Sequence, residues 1–287
     1  MITLALAARG ATLEWPLLVD APAHLTVHDP AEADWLHLLI GEAAYVDLVS
    51  GREFTPAWDA ALHARLRRLA FGHWLRAWWP ASVIDGVPPL DRELLDAEIA
   101  HLTDELDEVM ALSPDEVPEP VDVEKRAPTQ TEYALVAGQR RTLADTGVLS
   151  GRSALAWQGV PAGRVDATEQ PVTWVLEVMD APELSIAVQL LPGADATGLA
   201  VTVTAGGTTA TGALDADGTA AVTLPLEPAR AWALTAADLD VRIGVPVEET
   251  AGERASIREL VARRRAGTPD HNGDLYQAER ALLVDDW

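Results

Sequence analysis

The sequence predicts an α+β protein: an N-terminal helical unit with a short β-hairpin, then an antiparallel β-sandwich, then a C-terminal helix and tail. Three observations carry this. Between Ala31 and Leu112 apolar residues recur at three- and four-residue steps, the spacing of one helix face. From about Thr131 the texture changes to short runs rich in Val, Leu, Thr and Trp, cut by Gly, Pro and Asp turns roughly every ten residues. Between them, Ser113–Thr129 carries Pro114, Pro118, Pro120 and Pro128 among acids and keeps no periodicity, as a linker does. The expected organisation is a helical domain at 1–112, a linker at 113–130, a β domain at 131–250, and a closing helix and tail at 251–287.

Composition narrows the function classes. At 287 residues and 48% apolar, the chain has material for two cores. Asp and Glu number 45 against 21 Lys and Arg, a net charge of −24. That disfavours nucleic acid, whose phosphates need a dense cationic surface, and an anionic membrane face. It suits a protein partner, a basic one above all. Lys125 is the single lysine, and alanine is abundant, a usage that fits a GC-rich bacterial genome. The absence of cysteine excludes disulfides, thiolate metal sites and cysteine nucleophiles. No apolar run reaches the roughly 20 residues of a membrane span. The start, Met1–Leu6, lacks the charged region of a signal peptide, so a cytoplasmic protein is expected.

In order along the chain, Ile2, Leu4 and Leu6, then Leu13, Trp15 and Leu17, alternate on either side of Arg9-Gly10, which predicts a hairpin. Residues 21–30, with Pro22 and Pro30, read as a loop. Ala31–Val49 reads as one helix, stopped by Ser50-Gly51. Thr55-Pro56 supplies a hydroxyl cap and a first-position proline, so the next helix is predicted from there to Trp79, just ahead of Pro80. Its stripes are Trp58, Leu62, Leu66, Leu69 and His73, and then Phe71, Trp74 and Trp78. Arg65, Arg67, Arg68 and Arg76 are left for the surface or for the helix that follows. That helix, capped by Asp91, runs to Leu112 with Leu95, Ile99, Leu102, Leu106 and Val109 inward and acids outward. The two are expected to pack antiparallel with unlike charges facing.

Predicted strands are Glu132–Ala137, Ser153–Trp157, Val172–Val178, Leu184–Leu191, Leu199–Thr204, Thr208–Ala213, Ala220–Leu226, Trp232–Leu234 and Leu239–Ile243. Hairpin turns are expected at Gly206-Gly207 and Asp215–Gly218. Glu253–Arg265 returns to helix, with Arg263, Arg264 and Arg265 in the last turn, where cations suit the dipole. A weakly amphipathic tail ends on Trp287.

Few residues group into chemistry. His24, His28 and Asp29 are the one metal-like cluster, two imidazoles and a carboxylate of the kind that bind zinc. Their loop lacks the helix on which such histidines converge, and no Glu follows the first of them. Asp215, Asp217 and Gly218 echo the start of a calcium loop whose closing acid is missing, so a plain turn is the simpler reading. The acids of 91–112 read as a solvated face. His63, His73 and His101 lie on neighbouring helices, with no nucleophile elbow beside them. Gly-x-Ser-x-Gly, the dinucleotide fingerprint and the P-loop are all absent, so no cofactor is expected. Arg76, Trp78 and Trp79 form an interaction candidate, since Trp and Arg dominate binding hot spots; the competing reading makes the tryptophans core. Trp287 is a second docking candidate. Trp157, Trp174 and Trp232 would serve a ligand-binding sandwich if one of them stood exposed beside polar groups.

Val201–Gly207 and Thr211–Leu224, with their Gly206-Gly207 and Asp215–Gly218 turns, resemble the hairpin of transthyretin-like, carboxypeptidase-regulatory-type β-sandwich modules. The resemblance covers Leu199–Leu226. It implies a transthyretin/Ig-like sandwich and a non-catalytic, structural role. The function expected from the chain is thus a non-enzymatic interaction or adaptor component of a bacterial multi-protein system. Its rivals are a metal-dependent hydrolase using His24, His28 and Asp29, and a carbohydrate- or peptide-binding sandwich.

Overall fold

A computed structural model describes residues 2–110 and 148–284. They form a mixed α+β structure with seven α-helices and antiparallel sheets among the described residues. The described residues gather into two compact units, one of 2–77, 90–110 and 250–284, the other of 78–89 and 148–249. The C-terminal segment therefore lies in the first unit with the N-terminal helices. The short stretch after the Arg/Trp helix lies in the second.

In the first unit, β1 (Thr3–Ala8), β2 (Ala11–Pro16) and β3 (His24–Val27) form an antiparallel sheet in that order. Leu4 pairs with Trp15 and Leu6 with Leu13, all four buried on one face. Gly10 turns the hairpin at φ +75°, where a side chain would collide with the Asp29 carbonyl. β3 corrects the loop expected at 21–30. Pro22 and Pro30 flank the strand without interrupting its ladder to β2, and prolines at strand ends leave the amides between them free to pair.

The helix expected over 31–49 is two: α1 (Leu36–Ile40) and α2 (Glu42–Val49), broken by Gly41 at φ +86°. The carbonyls of Leu39 and Ile40 at the end of α1 accept from the Asp59 and Ala57 amides at 2.8 Å each. Those bonds hold the segment around Thr55-Pro56 out of helix. As a result α3 (Ala60–Trp78) starts four residues beyond Pro56, capped by Asp59, whose Oδ1 accepts from the Leu62 amide at 2.7 Å. α4 (Arg92–Met110) starts where Asp91 was expected to cap it, with Oδ1 accepting from Glu93 and Leu94 at 2.9 and 3.1 Å. The predicted pairing of α3 with α4 is present and antiparallel. Arg65 meets Glu105 at 3.3 Å, Arg68 meets Glu98 at 2.6 Å, and Arg76 meets Asp96 at 3.0 Å.

Two arginines are interior: Arg67, expected at the surface or against the following helix, and Arg264, expected in the last turn of the C-terminal helix. Arg67, 2% exposed, donates to the carbonyls of Pro16, Val19 and Ala21 and to Asn272 Oδ1. Arg264 lies near the end of α6 (Ala251–Arg265), which begins in a Thr250/Glu253 capping box. It is 1% exposed, grips Glu279 of α7 (Gln277–Val284) at 2.5 and 2.7 Å, and meets Asp270 at 2.9 Å. Its guanidinium stands 4.5 Å over the Phe71 ring. Arg264 keeps its expected place in the last turn of its helix, but there it is buried against carboxylates. A buried cation needs its full set of acceptors, and only the folded chain brings these ones together.

In the second unit, β4 (Val148–Ser153), β5 (Val172–Val178), β6 (Pro182–Val188) and β9 (Thr219–Thr223) form one sheet in the order β4-β5-β6-β9. β10 (Leu239–Ile243), β7 (Ala200–Ala205) and β8 (Thr208–Ala213) form another in the order β10-β7-β8. The Gly206-Gly207 turn joins β7 to β8 as a hairpin, as expected. The Asp215–Gly218 turn does not make one, because β8 and β9 belong to different sheets. The strand expected at Trp232–Leu234 is replaced by a turn after α5 (Pro228–Ala231), where Pro228 pre-sets the first helical position. Trp157 lies in a 3₁₀ turn rather than a strand. The strand expected at Glu132–Ala137 and the linker at 113–130 fall outside the described residues. Asp166 organises the 78–89 segment: it accepts from Ser82 Oγ at 2.5 Å and from the Val83 and Thr168 amides at 2.8 and 3.0 Å.

Candidate functional site

The four-stranded sheet of the second unit turns alternate residues to its two sides. Trp174, Leu176, Leu184, Ile186 and Val222 are buried on one side. Gly151 lies opposite Trp174 and has no room for a Cβ, because the indole occupies that space; the indole N–H donates to Ser153 Oγ at 3.2 Å.

The other side is open, and the strand register arranges it in three rows. Arg152, Thr173, Ala187 and Thr219 make the first row. Ser150, Val175, Ser185 and Ala221 make the second, and Val148, Glu177, Glu183 and Thr223 the third. A groove of about 480 Å³ runs over the first two rows, lined by Thr173, Val175, Ser185, Ala187, Thr219 and Ala221 together with Asp215.

Asp215 is bound into its own turn. It accepts from the Thr219 amide and hydroxyl, at 2.7 Å each, and from the Asp217 amide at 3.1 Å. The Thr219 hydroxyl bond, then the Thr219 amide bond, hold its carboxyl below the ordinary range, so it stays ionised. Thr173 Oγ1 donates to the Ala187 carbonyl at 3.2 Å. The lining offers methyl groups and hydroxyls at short height, with no imidazole or amine to activate them. In the third row Glu177 and Glu183 face each other directly across β5 and β6, a like-charged pair that weakens the isolated sheet.

The residues singled out from the sequence fall elsewhere. His28 Nε2 shares a 2.9 Å hydrogen bond with Thr12 Oγ1, His24 Nδ1 is 3.7 Å from Glu14, and Asp29 Oδ1 accepts from the Ala31 amide at 2.9 Å. They turn to different partners, and among the described residues no group of three His, Asp or Glu can hold a metal ion. The extended backbone of β3 is what separates the two histidines, since four residues at a rise of about 3.3 Å each carry His28 roughly 13 Å along the chain from His24. Trp79 is 5% exposed and its indole N–H donates to the Pro88 carbonyl at 2.9 Å, so it is core and not a contact surface. Trp78 is half-buried, and Arg76 is exposed and engaged by Asp96. Trp287 lies outside the described residues. Trp157 and Trp174 are both buried, which removes them as stacking platforms; Trp232 is half-buried.

His101 pairs with Glu105 at 3.5 Å, whereas His63 turns to Trp15 and Ala23, so the helix histidines do not converge. Burial, then nearby Arg76, lowers the His73 pKa and keeps that ring neutral. The open sheet face was not among the expected sites. Its one signal in the sequence is the run of uncharged outward positions Thr173, Val175, Ser185 and Ala187 in a strongly acidic chain. Among the described residues no helix is long and apolar enough to cross a membrane. No family model, no curated protein and no solved structure matches this chain.

Proposed function

We propose that the protein is a non-enzymatic interaction component, an adaptor within a bacterial, cytoplasmic multi-protein system, and that it binds its partner on the open sheet face of the second unit. The observation that carries this reading is the uncharged strand lining of the groove in a chain of net −24. Water-facing strands of an acidic protein have no need of Ala187, Val175 and Ala221 in adjacent register, and such an apolar strip is what a partner covers. Glu177 and Glu183 at one end favour a partner with a basic residue beyond its neutral segment. We read the two sheets as a sandwich of the transthyretin/Ig-like kind, whose sheet faces and edges serve recognition. Burial of Trp157 and Trp174 favours an extended peptide segment over a sugar, because the Trp174 ring, although its residue borders the groove, is buried and offers no open aromatic face.

The test is quantitative co-purification from the source cells, comparing the wild-type chain with Val175→Glu and with Asp104→Asn, a charge change on α4 of the first unit. A carboxylate in the second row is expected to abolish recovery of a partner that Asp104→Asn retains. Equal recovery by both variants refutes the reading.

A further inference from the structure

In the first unit, α3 reads the backbone of the loop between β2 and β3 with two side chains one turn apart. Arg67 takes carbonyls of the strand end and the loop: Pro16, the last residue of β2, at 3.0 Å, then Val19 at 2.9 Å and Ala21 at 3.2 Å. His63 takes the loop's amide. His63 Nε2 receives the Ala23 N–H at 3.3 Å and the Trp15 indole N–H at 2.9 Å. Both partners can only donate, so Nε2 must carry a lone pair and the ring proton must sit on Nδ1. Adding a proton to Nε2 would set it against two N–H groups at once. It would also place a second cation beside buried Arg67.

We propose that His63 is a proton-operated latch on loop 17–23: neutral, it holds the loop to α3; protonated, it releases the Ala23 and Trp15 contacts and lets the loop swing from the helix. The surroundings leave little to compensate the new charge. From its own helix His63 faces Arg67, which opposes protonation. From the loop it faces Asp20, an exposed carboxylate that favours it more weakly. Trp15 from β2 and Trp58 ahead of α3 stand edge-on at 5.7 and 5.3 Å and bring no charge.

Release propagates in a defined direction. The same loop offers the Leu17 carbonyl to His271 at 2.9 Å and to Asn272 at 3.2 Å, and Asn272 also receives Arg67. The segment at 270–274 leads directly into the Arg264 network. Loosening the loop therefore loosens the docking of the C-terminal segment on the N-terminal sheet.

The experiment is heteronuclear NMR on the full-length chain between pH 8 and pH 5, following the Trp15 indole (assigned with Trp15→Phe) and the Ala23 amide. Wild type is expected to show both signals moving together on acidification, with at least tenfold faster exchange with water at pH 5, while the tryptophan indoles other than that of Trp58, which stands against His63, stay in place. His63→Gln, whose side-chain oxygen accepts without titrating, is expected to show neither change. The long-range ¹H–¹⁵N spectrum of the wild-type imidazole at pH 8 gives a reading that needs no variant: the Nδ1–H tautomer is expected. An Nε2–H tautomer overturns the proposal. So do Trp15 and Ala23 signals that ignore pH, a His63→Gln chain that responds as wild type does, or indoles that all move together in one global transition.

Discussion

Gly72 sits in the buried middle of α3, in ordinary helical conformation, where alanine is the better helix former by about 1 kcal/mol. Helix propensity alone therefore predicts that Gly72→Ala stabilises the protein. The tertiary contacts predict the opposite. An added Cβ would lie 2.5 Å from Tyr276 Oη, 2.9 Å from its Cζ and 3.0 Å from Ile99 Cγ1. Tyr276 is fully buried and donates its hydroxyl to the Arg68 carbonyl at 2.5 Å, with Arg68 stacked 4.5 Å over the ring. Pushing the ring aside costs about 1–3 kcal/mol of overpacking. It also orphans a buried hydroxyl, at about 1–3 kcal/mol. After subtracting the propensity gain, Gly72→Ala should lose about 1–5 kcal/mol. The assay is urea unfolding monitored by tryptophan fluorescence, run as a double-mutant cycle with Tyr276→Phe. Removing Oη takes away the nearest atom, so Tyr276→Phe should be less harmful, or even stabilising, when combined with Gly72→Ala. A Gly72→Ala protein as stable as wild type, or more so, would refute the packing argument.

The other predictions concern capping, buried charge and pH. Asp59→Ala should cost about 1 kcal/mol in urea unfolding while Thr55→Ala stays within about 0.5 kcal/mol, since the aspartate and not the threonine caps α3; the reverse order would place the helix start where the sequence pattern suggested. Glu279→Gln should cost about 3–5 kcal/mol by removing the bidentate carboxylate of buried Arg264 and leaving it Asp270 alone, and a shift of the unfolding midpoint too small to measure would contradict the network. Burial first, and Arg67 next, lower the His63 pKa in the folded chain. The folded state thus binds this proton less readily than the unfolded one. The stabilisation it brings is complete above its ordinary value of 6.5 and is lost as pH falls through the folded value. Wild-type stability should fall between pH 7.5 and 5 more steeply than that of His63→Gln, and parallel curves would remove the effect.

Much of the local structure was legible in the residues themselves. The 3.6-residue stripe of Leu95, Ile99, Leu102 and Leu106, the cap at Asp91 and the opposed charges of the two long helices are short-range statements, and the chain obeys them. The strands at Val172–Val178, Thr208–Ala213 and Leu239–Ile243 are likewise written in local alternation and turn residues. Where sequence reading failed, a distant partner had outweighed a local signal. Thr55-Pro56 is a sound helix start, but the carbonyls at the end of α1 bind the chain just beyond it. His24 and His28 look like a pair until a strand spreads them to different neighbours.

The sequence by itself determined that the chain is acidic and free of cysteine, that it mixes helices with antiparallel strands, and where several of those helices, strands and turns lie. Only the tertiary structure decided that Arg67 and Arg264 are interior, that the last helices belong with the first strands, and that an uncharged strip on one sheet stands open. Periodicity assigns a residue to a face of its own element. Whether that face meets carbonyls, another sheet or water depends on segments up to 255 residues away, as the bond from Asn272 to Leu17 shows.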